Sequence, residues 1–206
     1  SDVYKRQTLE KLKILSKKKG LKIKFFPKIQ KIKQIETQKL LNKNLKFNPR
    51  IFKLFSKLSK NYKICIATNA INKTLQVCLK KLRINKFIFS SFSNQDVVHN
   101  KPHPEIYLKC LIDMGFKPNE TLIFEDSSHG VMAAQDSGCH LFTVKNLTDI
   151  SYNNIISFMK NLKKDKKQIG DTNYWSDPNL NILIPMAGAG SRFKEAGYIF
   201  PKPLIE

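Results

Sequence analysis

The stretch Leu122-Ile123-Phe124-Glu125-Asp126-Ser127-Ser128-His129-Gly130-Val131-Met132-Ala133-Ala134 decides the fold. A short apolar run ends abruptly in two adjacent acids, and an alanine-rich pattern of helical type follows small polar residues. The run reads as a buried parallel strand whose carboxyl end presents Glu125 and Asp126 in a crevice. Ligands of open α/β sheets bind at such strand ends. Two crowded carboxylates repel, so a dication is their natural partner, and oxygen ligands favour Mg²⁺. The competing reading is a charged turn between strand and helix.

The flanking sequence repeats this alternation. Tyr62 to Ala67 reads as a buried strand ending at Thr68-Asn69-Ala70, and a helix bearing Leu75, Val77, Leu79 and Leu82 follows. Phe87 to Phe89 is a candidate strand. Ser93 to Asn100 is a polar link into Lys101-Pro102-His103-Pro104, and a helix through Ile106, Tyr107, Leu111 and Met114 ends at Gly115. After the acid strand and its helix, which Gly138 stops, His140 to Val144 is a last short strand. Strands alternating with helices predict an α/β fold with a Rossmann-like parallel sheet covered on both faces. Asn48-Pro49 marks a helix start upstream, before the stripe Ile51, Phe52, Leu54, Phe55 and Leu58. Earlier still, Leu9, Leu12 and Leu15 predict a helix that Gly20 can end. Leu21 to Phe26 predicts a short strand or an extended linker stopped by Pro27, and Ile29 to Leu41 a lysine-rich helix.

The chain of 206 residues carries a formal charge of +21. The excess is almost all lysine spread along the chain; the arginines are Arg6, Arg50, Arg83 and Arg192. Readers of bases and phosphates use clustered arginine with interleaved aromatics, so no specific nucleic-acid partner is expected, only weak polyanion attraction at low salt. No apolar run is long enough to span a bilayer, and the basic start lacks a signal-peptide core. The expectation is a cytoplasmic protein with no membrane partner. Cys65, Cys78, Cys110 and Cys139 form no CxxC pair and sit in apolar or amphipathic contexts, which predicts buried free thiols. His99, His103, His129 and His140 show no metal-ligand spacing.

Three strand-end features line up in order. Thr68 offers a hydroxyl, and Asn69 a backbone amide, at a helix start where the dipole favours anions. Lys101 offers a positive charge that can neutralise a phosphoryl oxygen. Glu125 and Asp126 can hold Mg²⁺, which polarises a phosphoryl group. Singly, Thr68 also reads as a cap and Lys101 as a solvated lysine.

With these strings in view, Ile64 to Val144 resembles the haloacid dehalogenase superfamily, in the branch of phosphatases and β-phosphoglucomutases. The matching strings are Ile66-Ala67-Thr68-Asn69, Lys101-Pro102-His103-Pro104-Glu105-Ile106-Tyr107 and Phe124-Glu125-Asp126-Ser127-Ser128-His129-Gly130. The resemblance implies Mg²⁺-dependent phosphoryl transfer through an aspartyl-phosphate, on a small phosphorylated metabolite such as a sugar phosphate. It makes Thr68 the phosphate-binding hydroxyl, Lys101 the stabilising cation, and Glu125 and Asp126 the metal acids. The family's nucleophile lies in an N-terminal strand of Asp-x-Asp type, and no Asp-x-Asp occurs here. That strand is expected upstream of Ser1, with residues 8–46 as the remnant of a helical cap and a fragment without turnover as the consequence.

The tail carries a second resemblance. Asn181 to Phe193, with Gly188, Gly190 and Arg192, followed by Phe200-Pro201-Lys202-Pro203-Leu204-Ile205, is similar to the start of a sugar-phosphate nucleotidyltransferase. The resemblance implies that a nucleoside triphosphate binds along Gly188 and Gly190, with Arg192 and Lys202 on its phosphates. The competing reading is a glycine turn with two surface cations. The expected organisation is a possible foreign leader at 1–7, the cap remnant at 8–46, the core at 47–160, a linker at 161–179 and the nucleotidyltransferase start at 180–206. Two other readings stay open: a noncatalytic scaffold or ligand-binding module, and a nonspecific polyanion binder.

Overall fold

In the computed structural model the described residues are 8–167, 181–185, 187–189 and 201–202. The expected leader, residues 168–179 of the expected linker, residue 180, and the positions of Gly190 and Arg192 lie outside them. β1 (Ile64–Ala67), β2 (Ser90–Phe92), β3 (Thr121–Glu125), β4 (His140–Thr143) and β5 (Asn181–Pro185) form one five-stranded sheet in the order β2-β1-β5-β3-β4. All four pairings are parallel. Parallel neighbours need crossovers, and helices supply them. α4 (Asn72–Leu82) joins β1 to β2, α5 (Glu105–Met114) joins β2 to β3, α6 (Ser128–Asp136) joins β3 to β4, and α7 (Tyr152–Lys167) follows β4. α1 (Thr8–Lys19), α2 (Phe26–Asn44) and α3 (Pro49–Leu58) precede the sheet.

Side chains alternate along a strand, so each strand feeds two cores. Ile64, Ile66, Leu122 and Phe124 are buried with Phe55 and Leu58 of α3, Leu75 and Leu79 of α4, and Ile155 and Met159 of α7. Cys65, Ala67 and Ile123 point the other way, into Ile106, Tyr107 and Cys110 of α5 and Ala133 and Ala134 of α6. Alternation puts Glu125 on this second face, under α5 and α6. Burial on both faces explains why β1 and β3 read as unbroken apolar runs. All four cysteines are free and buried. Burial pushes the Cys78 thiol up to about 12. Among the described residues no helix is long and apolar enough to cross a membrane.

Several expected boundaries move. Leu21 to Phe26 is neither strand nor linker: a 3₁₀ turn spans Ile23–Phe25, and α2 begins at Phe26 with Pro27 in its first turn. Proline there costs no hydrogen bond, because the first N–H groups of a helix have no intrahelical acceptor. The strand expected at Phe87 to Phe89 lies three residues later, at Ser90–Phe92, after a 3₁₀ turn at Asn85–Phe87. α7 runs on to Lys167, into the expected linker. The strand at Asn181–Pro185, expected to open a second domain, is the central strand of this sheet, between β1 and β3.

α2 is tied to the sheet's helical layer. Leu41 and Leu45 join the first core, Gln38 Nε2 donates to Thr74 Oγ1 at 3.0 Å, and Lys81 Nζ donates to the Asn42 carbonyl at 2.7 Å. The turn after α2 ends at Asn48, whose Oδ1 accepts the Ile51 N–H at 3.1 Å and caps α3. Asn48→Ala is expected to lower the stability of the sheet domain by about 1 kcal/mol in urea unfolding, with Asn48→Asp close to wild type.

Candidate active site

The carboxyl ends of β1 and β3 lie on one edge of the parallel sheet. β1 ends at Ala67, and Thr68 follows, 1% exposed, its N–H held by the Phe92 carbonyl at 2.9 Å. Thr68 Oγ1 accepts the Ala70 N–H at 3.0 Å, which fixes the hydroxyl on the turn. Lys101 enters from the link before α5. Its Nζ donates to Glu125 Oε1 at 2.7 Å and to the Ala67 carbonyl at 3.1 Å. It also lies over the Tyr107 ring at 4.5 Å. Asn69 locks the lysine's backbone: its Nδ2 donates to the Lys101 carbonyl, and its Oδ1 accepts the Lys101 N–H, both at 3.2 Å. Thr68, Lys101, Glu125 and Asp126 therefore meet at one edge, although they come from separate segments.

Glu125 is at the centre of this arrangement. Its Oε1 accepts from Lys101 Nζ and from Tyr107 Oη, each at 2.7 Å. Its Oε2 accepts from Asp126 N at 3.1 Å, Ser127 N at 3.3 Å and Ser127 Oγ at 3.1 Å. The side chains of Lys101 and Glu125 are 4% and 1% exposed. Burial alone pushes the Glu125 carboxyl up. The Lys101 ammonium, with hydrogen bonds from Lys101, Tyr107 and Ser127, outweighs burial and holds the carboxyl below its usual range. Burial, and then the neighbouring Glu125 charge, raise the Tyr107 hydroxyl well above its ordinary value.

These contacts bear on the expected pair of metal acids. Two donors on Oε1 and three on Oε2 use up the lone pairs a cation would need. Glu125 is held as the buried counter-ion of the Lys101 ammonium, and Asp126 lies half-buried at the same edge. The Asn69 side chain, for which the sequence suggested no role, clamps the lysine loop.

Three further residues complete the site. Tyr107 read as a core position at helical spacing, and only the buried acid shows why it carries a hydroxyl. Ser127 caps α6 through Gly130 N at 3.1 Å while it donates to Glu125. Gly130 lies against the carboxylate: a Cβ there would sit 1.9 Å from Glu125 Cδ. The sequence signal for Gly130 was a glycine inside an otherwise good helical run.

In the tail, Gly188 lies in β6 (Ala187–Ala189) and Lys202 in β7 (Pro201–Lys202), an antiparallel pair with Ala187 opposite Lys202.

A family model described as haloacid dehalogenase-like hydrolase matches residues 2–144. The chain belongs to this family. The matched region of this haloacid dehalogenase-like chain covers Lys101, Glu125, Asp126 and every strand from β1 to β4. Pyrophosphatase PpaX of Anoxybacillus flavithermus is 35% identical over 79 residues, 38% of this chain and 37% of the relative. A phosphorylated carbohydrates phosphatase of Thermotoga maritima is 31% identical over 104 residues, 50% of this chain and 48% of the relative. The matched segments thus span less than half the length of these relatives. A crystal structure of a HAD hydrolase, family IA, variant 3 from Entamoeba histolytica superposes with a TM-score of 0.57 at 21% identity, covering 74% of this chain and 69% of that one. At that identity the likeness concerns the fold.

Proposed function

We propose that the chain carries the phosphate-binding edge of a Mg²⁺-dependent phosphatase or phosphomutase acting on a small phosphorylated metabolite, such as a sugar phosphate. The observation that carries this reading is the Lys101–Glu125 contact of 2.7 Å in a site closed to water. Keeping an ammonium dry is costly, and the carboxylate beside it offsets that cost only with good geometry. Two of the three ammonium hydrogens go to Glu125 and Ala67, leaving one for a phosphoryl oxygen. Thr68 supplies a hydroxyl for a second oxygen. Asp126 fits Mg²⁺ as a single carboxylate ligand, with waters and phosphate oxygens filling the other positions. Bound there, the ion would neutralise charge on the phosphoryl group. The relatives are named for phosphate-ester and pyrophosphate substrates, which supports this substrate class.

Phosphoryl transfer through an aspartyl-phosphate also needs a nucleophile, and the sequence holds no Asp-x-Asp. The expected behaviour of this chain is therefore Mg²⁺-dependent phosphate binding without turnover of a phosphate ester. Calorimetric titration with inorganic phosphate, with and without Mg²⁺, tests this. Asp126→Asn is expected to weaken the Mg²⁺-dependent binding about ten- to hundredfold, the size of a lost charge-assisted contact. Binding that ignores Mg²⁺ and the Asp126 substitution would indicate lysine-rich polyanion attraction, and no binding at all a scaffold.

A second activity, nucleotide binding by the tail, is supported by the pairing of β6 with β7, which brings the backbone of Lys202 beside the Gly188 segment. This reading makes the tail the start of a sugar-phosphate nucleotidyltransferase. Saturable nucleoside triphosphate binding that Lys202→Ala abolishes would support it.

A further inference from the structure

The link that delivers Lys101 carries a second group of ligand-type side chains away from the buried Lys101–Glu125 pair. The His103 N–H donates to the Asn100 carbonyl at 3.1 Å and closes a turn. The turn folds His103 back toward His99, with ring centroids 4.8 Å apart. Glu105, in the first turn of α5, reaches back to the same place. Its Oε1 accepts the Val98 N–H and its Oε2 the His99 N–H, each at 2.7 Å, and His99 Nδ1 lies 2.9 Å from Oε2. The three ligand atoms, one from each of His99, His103 and Glu105, lie within 4.8 Å of one another. Read along the sequence, His99 and His103 showed no metal-ligand spacing; the turn at Asn100–His103 brings them together beside Glu105.

Two imidazole nitrogens and a carboxylate oxygen suit a borderline cation better than Mg²⁺ or Ca²⁺, which take oxygen sets. Bonds of roughly 2.0–2.2 Å place tetrahedral ligand atoms about 3.3–3.6 Å apart. The present spacing closes to that by rotating imidazoles whose side chains are exposed, that of His99 by 65%. The carboxylate is already fixed by backbone donors, so little ordering remains for binding to supply.

We propose that His99, His103 and Glu105 form a three-ligand zinc site on the outer side of the Lys101 link, with water in the fourth position. It is separate from the Asp126 edge and does not depend on the phosphate reading. A zinc ion here ties residue 99 to residue 105 and so pins the link on both sides of Lys101.

The test is a competition titration of Zn²⁺ against a chromophoric chelator, using the whole chain with Mg²⁺ in excess. The expected result is one equivalent of zinc, bound at least about tenfold more weakly by His103→Ala and not bound in stoichiometric amount by H99A/H103A. The double variant keeps the Val98 and His99 N–H bonds to the Glu105 carboxylate, though it loses the Glu105 N–H bond to His103 Nδ1, and a circular dichroism spectrum and melting midpoint like those of zinc-free wild type show that it is folded. A Co²⁺ titration of wild type adds a spectroscopic readout, with weak visible bands of nitrogen and oxygen ligation expected. Unchanged zinc binding by H99A/H103A, no stoichiometric binding by wild type, or an intense sulfur-to-cobalt band would each overturn the proposal.

Discussion

Gly130→Ala is expected to destabilise the chain by at least about 3 kcal/mol, against the direction of helix propensity. Propensity alone makes alanine better than glycine inside a helix by roughly 1 kcal/mol. Here the added Cβ would lie 1.9 Å from Glu125 Cδ and 2.0 and 2.2 Å from the carboxylate oxygens. The carboxylate has nowhere to retreat, because Lys101 and Tyr107 hold one oxygen and Ser127 holds the other. α6 cannot lift away cheaply either, since Ala133 and Ala134 are fully buried against the sheet face. Relief requires either breaking the ion pair or unpacking the first turn of α6. Urea unfolding of the variant and wild type reads the difference, and a loss below about 1 kcal/mol would show that α6 yields easily.

The Lys101–Glu125 pair should give the other large effect. Lys101→Met leaves a buried carboxylate without its cation, and Glu125→Gln leaves a buried ammonium without its anion. Each is expected to cost about 3–5 kcal/mol. The double variant K101M/E125Q should cost less than the sum of the two, because it strands neither charge. A strictly additive cycle would mean that the two side chains act independently. The pH dependence follows from the direction of the Glu125 shift. Its folded value lies below the unfolded one, so the folded state binds the proton less readily. The resulting stability is fully present above the unfolded carboxyl value of about 4.3 and is lost as pH falls through the lower folded value. Urea midpoints of wild type should therefore fall across that acidic window, while those of Glu125→Gln should fall less steeply.

Where burial alone decides, the sequence was readable. Ile64 to Ala67 and Leu122 to Phe124 are apolar because both sheet faces are covered, and Asn48 is a cap because its side chain reaches the Ile51 N–H. Gly115 ends α5 in a left-handed conformation, φ 73°, as a glycine after a helical stripe should. Hydrophobic patterning does not say which acceptor a hydroxyl finds, so Tyr107 read as one more core residue. It likewise does not say which of two adjacent acids turns inward. Strand alternation sends Glu125 to the face of α5 and α6, and its register with Thr143 is a property of the paired sheet. The His99, His103 and Glu105 grouping was hidden because a turn brings these residues together, with no helical or strand period to mark it. β2 was misplaced because Ser90-Ser91-Phe92 is a half-buried edge strand with little apolar signal.

The position of β5 bears on how the molecule is made. β1 and β3 are inner strands, yet the strand between them is encoded after every other member of the sheet. A ribosome therefore releases two half-sheets, β2-β1 and β3-β4, each with an open inner edge, before their shared neighbour emerges. Until Asn181–Pro185 docks, those edges offer unpaired N–H and C=O groups to any other extended segment. The newborn chain is thus most exposed to wrong strand partners in the interval between the emergence of β4 and that of β5.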